Sequence, residues 1–218
     1  QNTRGGTGSS VSVGVEVRPS SSMLISFNPS WNDSHSLLQY VKAVSDPTAT
    51  AFYGRRYVMS DLHQKSLGLD TRLNVTFSPT MTLQLYAQPF IASGEYFKFK
   101  EFNAPRSNQW SVYGTDKGTI TSTGTDDSKV YTVDPDGAVG AAPSFTIANP
   151  DFNFRSLRGN AVFRWEYLPG STLYFAWTHS RSAQEAVGDF DFSRDRDALL
   201  STKPDNIFLV KASWWLAR

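Results

Sequence analysis

The chain has 218 residues, which is enough for one β-domain of ordinary size. Its 21 basic and 20 acidic side chains nearly cancel, so the charge balance gives no support for nucleic-acid binding. It has no Cys, which excludes disulfides and thiolate chemistry, and it has no apolar run near the roughly 20 residues of a membrane-spanning helix.

Alternating apolar and polar residues predict a series of antiparallel β-strands. The clearest run is 65–77, where Leu69, Leu73 and Val75 alternate with polar residues. A short helix is predicted only at 194–201, within a connection. The nine predicted strands cover residues 11–18, 23–28, 36–45, 50–60, 65–77, 81–90, 157–167, 172–182 and 206–218.

The predicted connections come in two lengths. If successive strands run in opposite directions, all the short turns lie at one end of the sheet and the long segments lie at the other. The one short connection at the long-segment end is 61–64. Short turns at one end and long loops at the other are typical of bacterial outer-membrane β-barrels. The short turns contain Pro and lie at 18–21, 46–48, 78–80 and 168–171, and the long polar segments are 28–36, 92–150 and 183–205.

The expected fold class is therefore all-β: an antiparallel up-and-down transmembrane β-barrel, or the C-terminal part of a larger one. Residues 1–218 form a single predicted domain, and 92–150 is a long loop insertion. The odd strand count, with a first strand starting at the loop end, departs from the even number of a complete single-chain barrel. We therefore expect at least one strand before residue 1, which would make this chain the C-terminal segment of a longer protein.

The two faces of the predicted strands differ in polarity. One parity has almost no charge in mid-strand, and a strand such as 65–77 is long enough to cross the hydrocarbon at a tilt. We expect this face to meet lipid and the other to face a barrel lumen. The residues predicted to face the lumen are Asp70, Arg72, Asn74, Arg158, Arg164 and Glu166.

Aromatic residues cluster toward the ends of the predicted strands. Interfacial girdles of membrane barrels place Trp and Tyr at the level of the lipid headgroups. The competing interpretation is the core of a soluble sandwich, because strands favour aromatic residues in any case. The residues predicted to form the girdle are Trp165, Tyr167, Trp177, Trp214 and Trp215.

Four stretches resemble the C-terminal domain of a large group of bacterial proteins: "RLNVTFSPTMTLQLYAQPF", "VYTVDPDG", "PDFNFRSLRGNAVFRWEYLPGSTLYFAWTHSRS" and "PDNIFLVKASWW". In that group, a family 9 carbohydrate-binding module precedes an outer-membrane β-barrel domain of unknown function. The resemblance is strong from about residue 50 onward. It implies a bacterial outer-membrane location, contact with outer-membrane lipid, and the barrel assembly machinery as a partner during biogenesis. It supplies no glycan-binding or catalytic residue, because the carbohydrate-binding module is not in this chain.

The final aromatic pair, Trp214 and Trp215, also resembles the C-terminal strand signal of outer-membrane proteins. This chain departs from that signal because three residues, 216–218, follow the pair. Upstream strands or other protein chains are expected at the open edge of the sheet, since an unpaired edge invites pairing.

Three histidines, His35, His63 and His179, are the candidates for catalysis. A hydrolase would need a Ser hydroxyl within hydrogen-bond reach of a His and a third residue to orient it. No GxSxG motif occurs, and neighbouring Ser and His arise readily by chance in a Ser-rich chain. We favour surface or rim histidines and assign no catalytic residue.

Carboxylates concentrate in the long connections. Asp134 and Asp136, in "DPDG", could hold a weak extracellular Ca²⁺ site, since spaced Asp residues beside Gly wrap calcium with oxygens. The closing Glu of such loops is missing, so ordinary turn carboxylates are the favoured interpretation. The other acidic residues considered are Asp126, Asp127, Asp189, Asp191, Asp195 and Asp197, and no other cofactor is expected.

Five arginines that could project into the lumen admit two interpretations. They could line a pore that favours anionic solutes, or they could brace a filled lumen through ion pairs such as Arg164 with Glu166. We favour the brace. The arginines concerned are Arg55, Arg56, Arg72, Arg158 and Arg164.

The sequence thus predicts a membrane anchor, or a pore or translocation part of a larger, glycan-associated surface protein. Two alternatives stay open: a soluble β-sandwich or lectin-like binding module, and a barrel enzyme acting on lipid or glycan at its rim.

Overall fold

The computed structural model describes residues 5–216 and consists mainly of antiparallel β-sheet. The all-β prediction is therefore confirmed. The single α-helix of the described residues lies where the short helix was predicted. The elements are β1 (Gly6–Ser12), β2 (Val15–Ser20), β3 (Met23–Ser45), β4 (Arg55–Ser78), β5 (Met81–Phe102), β6 (Trp110–Val112), β7 (Thr119–Thr123), β8 (Val130–Asp134), β9 (Phe145–Ala148), β10 (Phe152–Leu168), β11 (Ser171–Glu185), α1 (Phe192–Ser201) and β12 (Asp205–Ser213).

The main sheet has the strand order β1-β3-β4-β5-β10-β11-β12, with β2 beside β3 and β6 beside β5. Every pairing in it is antiparallel. Strands β1 and β2 lie end to end beside β3 and pair with it in the same register, since Val11 pairs with Trp31 and Val15 with Phe27. In the described part of the chain, β1 and β12 do not pair with each other, so the sheet is open at both edges.

Two predicted connections are in fact strand. Residues 28–36 lie inside β3 and residues 61–64 inside β4, so the nine predicted strands merge into seven along the main sheet. Apart from Pro29, Trp31 and Leu62, the residues of these stretches are polar on both faces of the strand, so we interpreted the stretches as loops. They remain in the sheet because the backbone ladder between β3 and β4 continues through them, as in the pair of His35 with His63. A ladder needs backbone hydrogen bonds but no apolar side chains.

The connections sort by length between the two ends of the sheet. The turns at 21–22, 79–80 and 169–170 lie at one end, which we call the turn end. The connections 46–54, 103–151 and 186–204 lie at the other, the loop end. The predicted short turn at 46–48 belongs to the loop end, contrary to its predicted placement, because the merged strands reverse the direction in which the chain reaches it.

The long insertion predicted at 92–150 begins later in the structure than predicted. Strand β5 continues to Phe102, so the insertion covers 103–151, and it is ordered. Its strands β7, β8 and β9 form a second, three-stranded antiparallel sheet. This small sheet packs on the main sheet through a buried apolar cluster that includes Val58, Phe99, Val133 and Ile147.

The two faces of the main sheet can be followed along β4. We call the face that carries Leu69, Leu73 and Val75 the apolar face, and the face that carries Arg72 and Asn74 the polar face. The irregularities of register at the loop end arise in β3 and β5, and β4 alternates regularly there.

Both faces are covered at the loop end, by different elements. Val58 is on the polar face, and it is there that the small sheet packs. Helix α1 lies instead against the apolar face, because its Asp195 side chain accepts a hydrogen bond from Asn153 of β10. No helix within residues 5–216 is long and apolar enough to cross a membrane.

Candidate functional site

The apolar face is a candidate site, because apolar side chains follow one another across the strands of the main sheet. Many of them are open to solvent: Phe208 is 74% exposed and Phe77 is 59% exposed. Contiguous exposed apolar surface of this kind marks contact with lipid, a ligand or another protein. One row of paired residues across it consists of Ile25, Leu73, Leu85, Ala161, Trp177 and Phe208.

The apolar character ends sharply at the loop end. Beyond Leu67 and its neighbour Ile91, the next row on the same face pairs Asp33 with Lys65 and Lys65 with Ser93. The strands therefore continue past the apolar rows into a charged layer. Along β4 the apolar face has a defined height, from Leu67 to Phe77.

On the polar face, the six residues predicted to face a lumen share one side of the sheet. Asp70 accepts hydrogen bonds from Tyr86 Oη at 2.7 Å and from Gln88 Nε2 at 3.1 Å. Arg72 lies over the ring of Tyr86, 5.3 Å from its centroid. Asn160, paired with Tyr86, belongs to the same row. These contacts cross between strands, so they brace the face.

The predicted brace at the turn end is also present. Arg164 Nη2 lies 3.2 Å from Glu166 Oε2, and Arg164 Nε donates to Tyr174 Oη at 3.3 Å. Asn74 and Arg158 lie on the same face, paired with Gln84 and Gln88. Whether this face encloses a lumen stays a prediction.

Aromatic residues gather at the turn end. Trp165 packs against Tyr167 with ring centroids 6.1 Å apart, and Tyr167 Oη donates to the carbonyl of Ser213. Trp214 and Trp215 follow β12 directly and are largely exposed. Trp177 differs from the other four predicted girdle residues, because it lies farther from the turn end. On β11 it is four residues beyond Leu173, which pairs with Trp165, and it belongs to the row of Leu73.

At the loop end, the polar face carries a buried ionic network around Glu101. Its carboxylate accepts hydrogen bonds from Arg56 Nη1 at 2.7 Å, from Tyr113 Oη at 2.7 Å and from Lys117. Arg56 also donates to Asp46. Burial alone would raise the pKa of Glu101, but the hydrogen bonds from Lys117, Tyr113 and Arg56 outweigh it and hold the pKa below its usual value. Since each charge has a partner, the network stabilises this end of the sheet.

On the apolar-face side of the loop end, two histidines are paired with carboxylates. His35 Nε2 lies 3.3 Å from Asp61 Oδ2, and His63 Nε2 lies 2.8 Å from Asp33 Oδ1. The rings of His35 and His63 are 6.3 Å apart. His63 was expected in a tight link, but it lies in mid-strand, and its carboxylate partner comes from the neighbouring strand.

His179 is held between β11 and β12. Arg181 Nε donates to His179 Nε2 at 3.1 Å, so His179 Nδ1 carries the proton that it donates to Asn206 Oδ1 at 2.9 Å. None of the hydrogen bonds found among residues 5–216 joins a Ser hydroxyl to a histidine.

The two calcium candidates are engaged in turns. Asp134 Oδ1 accepts from the Gly137 amide and Asp136 Oδ2 from the Ala142 amide, both at 2.9 Å. Within the described residues, no group of three or more His, Asp or Glu lies together in a way that could hold a metal ion. The calcium site stays a prediction, and a calcium titration that left the melting temperature unchanged would count against it.

Sequence reasoning missed the anchoring of α1. Arg155 of β10 and Asp195 of α1 are both fully buried, although both are charged. Arg194, at the start of the helix, lies 2.9 Å from Asp189 and from Asp195. The sequence shows the cluster of Asp residues at 189–197. It does not show their partner, because Arg155 lies about 40 residues away in the chain and the alternating pattern does not distinguish it from other strand residues.

These observations define the chain as an all-β protein with an open antiparallel sheet, one apolar face and one braced polar face. The chain matches no protein-family model, no curated protein and no solved structure.

Proposed function

We propose that the chain is the membrane-embedded part of a bacterial outer-membrane β-barrel, which anchors a larger surface protein or forms its pore or translocation part. The apolar face then contacts lipid, and the polar face lines the barrel interior. The observation that carries the proposal is the height of the apolar face.

This height fits a bilayer. From Leu67 to Phe77 the face spans ten residue steps of β4, and at about 3.4 Å per step and a tilt near 45° it would be about 24 Å tall. Outer-membrane barrels present an apolar band of about 25 Å. The charged row of Lys65 at one border and Trp165 with Tyr167 at the other correspond to the two headgroup layers.

The two ends of the sheet support the same orientation. All three turn-end connections are two residues long, whereas those at the loop end are long and carry their own secondary structure. Barrels of this type have short turns on the periplasmic side and long loops outside. We therefore infer that the small sheet β7–β9 faces the cell exterior and, packed on the polar face, caps the mouth of the interior.

The edges of the sheet constrain how a barrel would close. Six successive antiparallel pairings separate β1 from β12, so both edge strands run from the loop end to the turn end. Direct closure between them would be a parallel pairing. Antiparallel closure requires an odd number of further strands, so upstream strands or another chain are the proposed partners.

The resemblance to barrel domains that follow a family 9 carbohydrate-binding module fits this proposal. It suggests that the larger protein acts at the cell surface in contact with glycans. The barrel assembly machinery would then insert the chain, with Trp214 and Trp215 near the recognised strand.

A specific observation favours a soluble binding module as the second candidate. Helix α1 and the segment before it cover the loop-end part of the apolar face: Leu199 of α1 is 4% exposed, and Phe190, just before the helix, packs edge-on against Trp31 at 5.0 Å. If a further layer of protein covered the remaining rows, the apolar face would be a core.

Spin-label accessibility separates the two candidates. The chain has no Cys, so a single Cys introduced at each position from 66 to 77 carries the only label. In reconstituted bilayers we expect labels at Leu69, Leu73 and Val75 to be relaxed by oxygen, which partitions into lipid. Labels at Arg72 and Asn74, their immediate neighbours, should be relaxed by a water-soluble nickel chelate. Shielding of the first three from both reagents would favour the soluble module.

A further inference from the structure

A groove of about 410 Å³ lies between helix α1 and the apolar face of the main sheet. Leu69, Pro89, Ile91 and Leu157 form part of its sheet side, and Phe192 and Leu200 part of its helix side. Both of these helix residues are about half exposed, at 50% and 56%, although they point toward an apolar wall. The volume lies within the range of roughly 300–1,000 Å³ that is usual for small-molecule sites.

The chemistry of the lining selects the kind of occupant. Apart from Arg196, every residue of the lining is an apolar side chain or glycine. The strand backbones below it are already paired, as Pro29 with Leu69 and Pro89 with Leu157 show. An extended peptide in this groove would leave its own N–H and C=O groups without partners, which is costly in an apolar site. A hydrocarbon chain has no such groups and meets no penalty.

Arg196 supplies the one charge in the lining. Its side chain is 50% exposed, its Nε and Nη2 donate to Asp197, and its guanidinium lies 5.9 Å from the centroid of the Phe192 ring. The remaining nitrogen, Nη1, is left to donate to an anion. A guanidinium is well suited to a phosphate, because its planar donors match the oxygens of that group.

We propose that this groove binds one acyl chain of an anionic, phosphate-bearing lipid, with Arg196 at the phosphate. The inference rests on the proposed membrane function, since the groove opens from the lipid-facing rows where Phe27 and Leu69 lie. It adds that α1 holds one lipid at a fixed place, in contrast to the exchanging lipid around the rest of the band.

Native mass spectrometry of the full chain tests the proposal. Delipidated protein in detergent is titrated with lysophosphatidylglycerol or with a monoacylglycerol of the same acyl chain, which lacks the phosphate, and bound lipids are counted. We expect one lipid to be retained after the detergent is removed. The anionic lipid should bind roughly tenfold more tightly, as expected for one charge-assisted hydrogen bond.

Three variants locate the lipid. Leu69→Trp fills the groove and should abolish the retained lipid, whereas Leu85→Trp makes the same change on the apolar face outside the groove and should leave it bound. Arg196→Gln should keep the lipid but lose the preference for lysophosphatidylglycerol over the monoacylglycerol. Equal far-UV circular dichroism of all variants shows that each is folded.

The outcomes separate this inference from the proposed function. Equal lipid counts in Leu69→Trp and Leu85→Trp would overturn the groove site. A dimer of the chain that Leu69→Trp dissociates would also overturn it, because a second copy of the chain would then occupy the groove. If the spin-label scan still reports lipid at Leu73 and Val75, the membrane function survives that result. If the scan reports shielding while one lipid is retained and lost in Leu69→Trp, the groove binds lipid in a protein that is not embedded in a membrane.

Discussion

Arg155 of β10 and Asp195 of α1 face each other as fully buried charges, with Arg155 Nη1 3.8 Å from Asp195 Oδ1. Arg155 Nη2 is closer to Glu185 Oε1, at 2.6 Å, yet none of the three guanidinium nitrogens has a partner in hydrogen-bond geometry. Asp195 is better satisfied, since it also accepts hydrogen bonds from Asn153 and from the Asp191 amide. The pair therefore holds α1 on the sheet chiefly through charge.

Replacing Asp195 should release α1 from the sheet. Asp195→Ala leaves the guanidinium of Arg155 buried beside a single carboxylate, and losing one partner of a buried ion pair costs about 3 kcal/mol. Hydrogen exchange should then lose protection in residues 192–201 and leave β4 unchanged. Asp197→Asn is the matched control, because its pair with Arg196 is exposed and such pairs contribute about 1 kcal/mol or less. Equal protection in the two variants would show that charge does not anchor the helix.

The small sheet should be separable from the main sheet by a core truncation. Ile147 is 2% exposed and belongs to the cluster that joins β9 to Val58 and Phe99. Ile147→Ala should cost about 3 kcal/mol through lost burial and the cavity left behind. The expected result is faster hydrogen exchange in β7, β8 and β9 with β10 and β11 unaffected. Val139→Ala, at a fully exposed position of the same insertion, should have no effect. A loss of the whole fold would mean that the two sheets form one cooperative unit.

The alternation of apolar and polar residues predicted the fold correctly where the sheet has one apolar face and one polar face. Strands β4, β5 and β10 were placed with the correct parity between the turn end and the row of Leu67, because there most apolar residues have polar neighbours. No parity was assigned to β11, because Leu173, Tyr174, Phe175 and Trp177 put large side chains on both of its faces. Helix α1 was also predicted within a few residues. In the segments 28–36 and 61–64, past that row, most residues on both faces are polar, so alternation carries no signal and this part of the ladder of β3 with β4 was missed.

The candidate sites could be predicted only where their residues are close in the chain. The pair of Arg164 with Glu166 lies on one strand and was identified, whereas Glu101 meets Arg56 across 45 residues. The pairs of His63 with Asp33 and Arg155 with Asp195 depend in the same way on register between distant segments. Such register is set by the whole sheet, and no local pattern contains it.

Acid should weaken the loop-end network around Glu101. Its pKa in the folded chain lies below the ordinary value of 4.5, and that of Asp46 lies below 3.8, since hydrogen bonds from Thr48 and Arg56 outweigh the effect of burial there. A carboxylate with a lowered folded-state pKa contributes stability above its unfolded-state pKa and loses it as the pH falls through the folded-state value. We expect constant protection of the Val58 amide from pH 7 to about pH 5 and a decline below about pH 4.5.

Glu101→Gln isolates this carboxylate. The variant should be less stable at pH 7, because Arg56 and Lys117 lose a charged acceptor, and its stability should fall less steeply in acid than that of the unmodified chain. The measurement is the melting temperature of both proteins across the pH range. Parallel pH profiles would assign the acid sensitivity to another group.

A charge introduced on either side of one strand should distinguish the two faces most directly. Leu73→Lys places an ammonium in the middle of the apolar face, where a lipid-facing position costs about 2–4 kcal/mol. Asn74→Lys makes the same addition one residue later, on the polar face, where water and acidic groups can solvate the charge. In chains folded into lipid vesicles, urea titration should show a lower midpoint for Leu73→Lys and little change for Asn74→Lys. The opposite order, or equal destabilisation, would mean that the face of Leu73 does not meet lipid, and the spin-label result at Leu73 would have to agree.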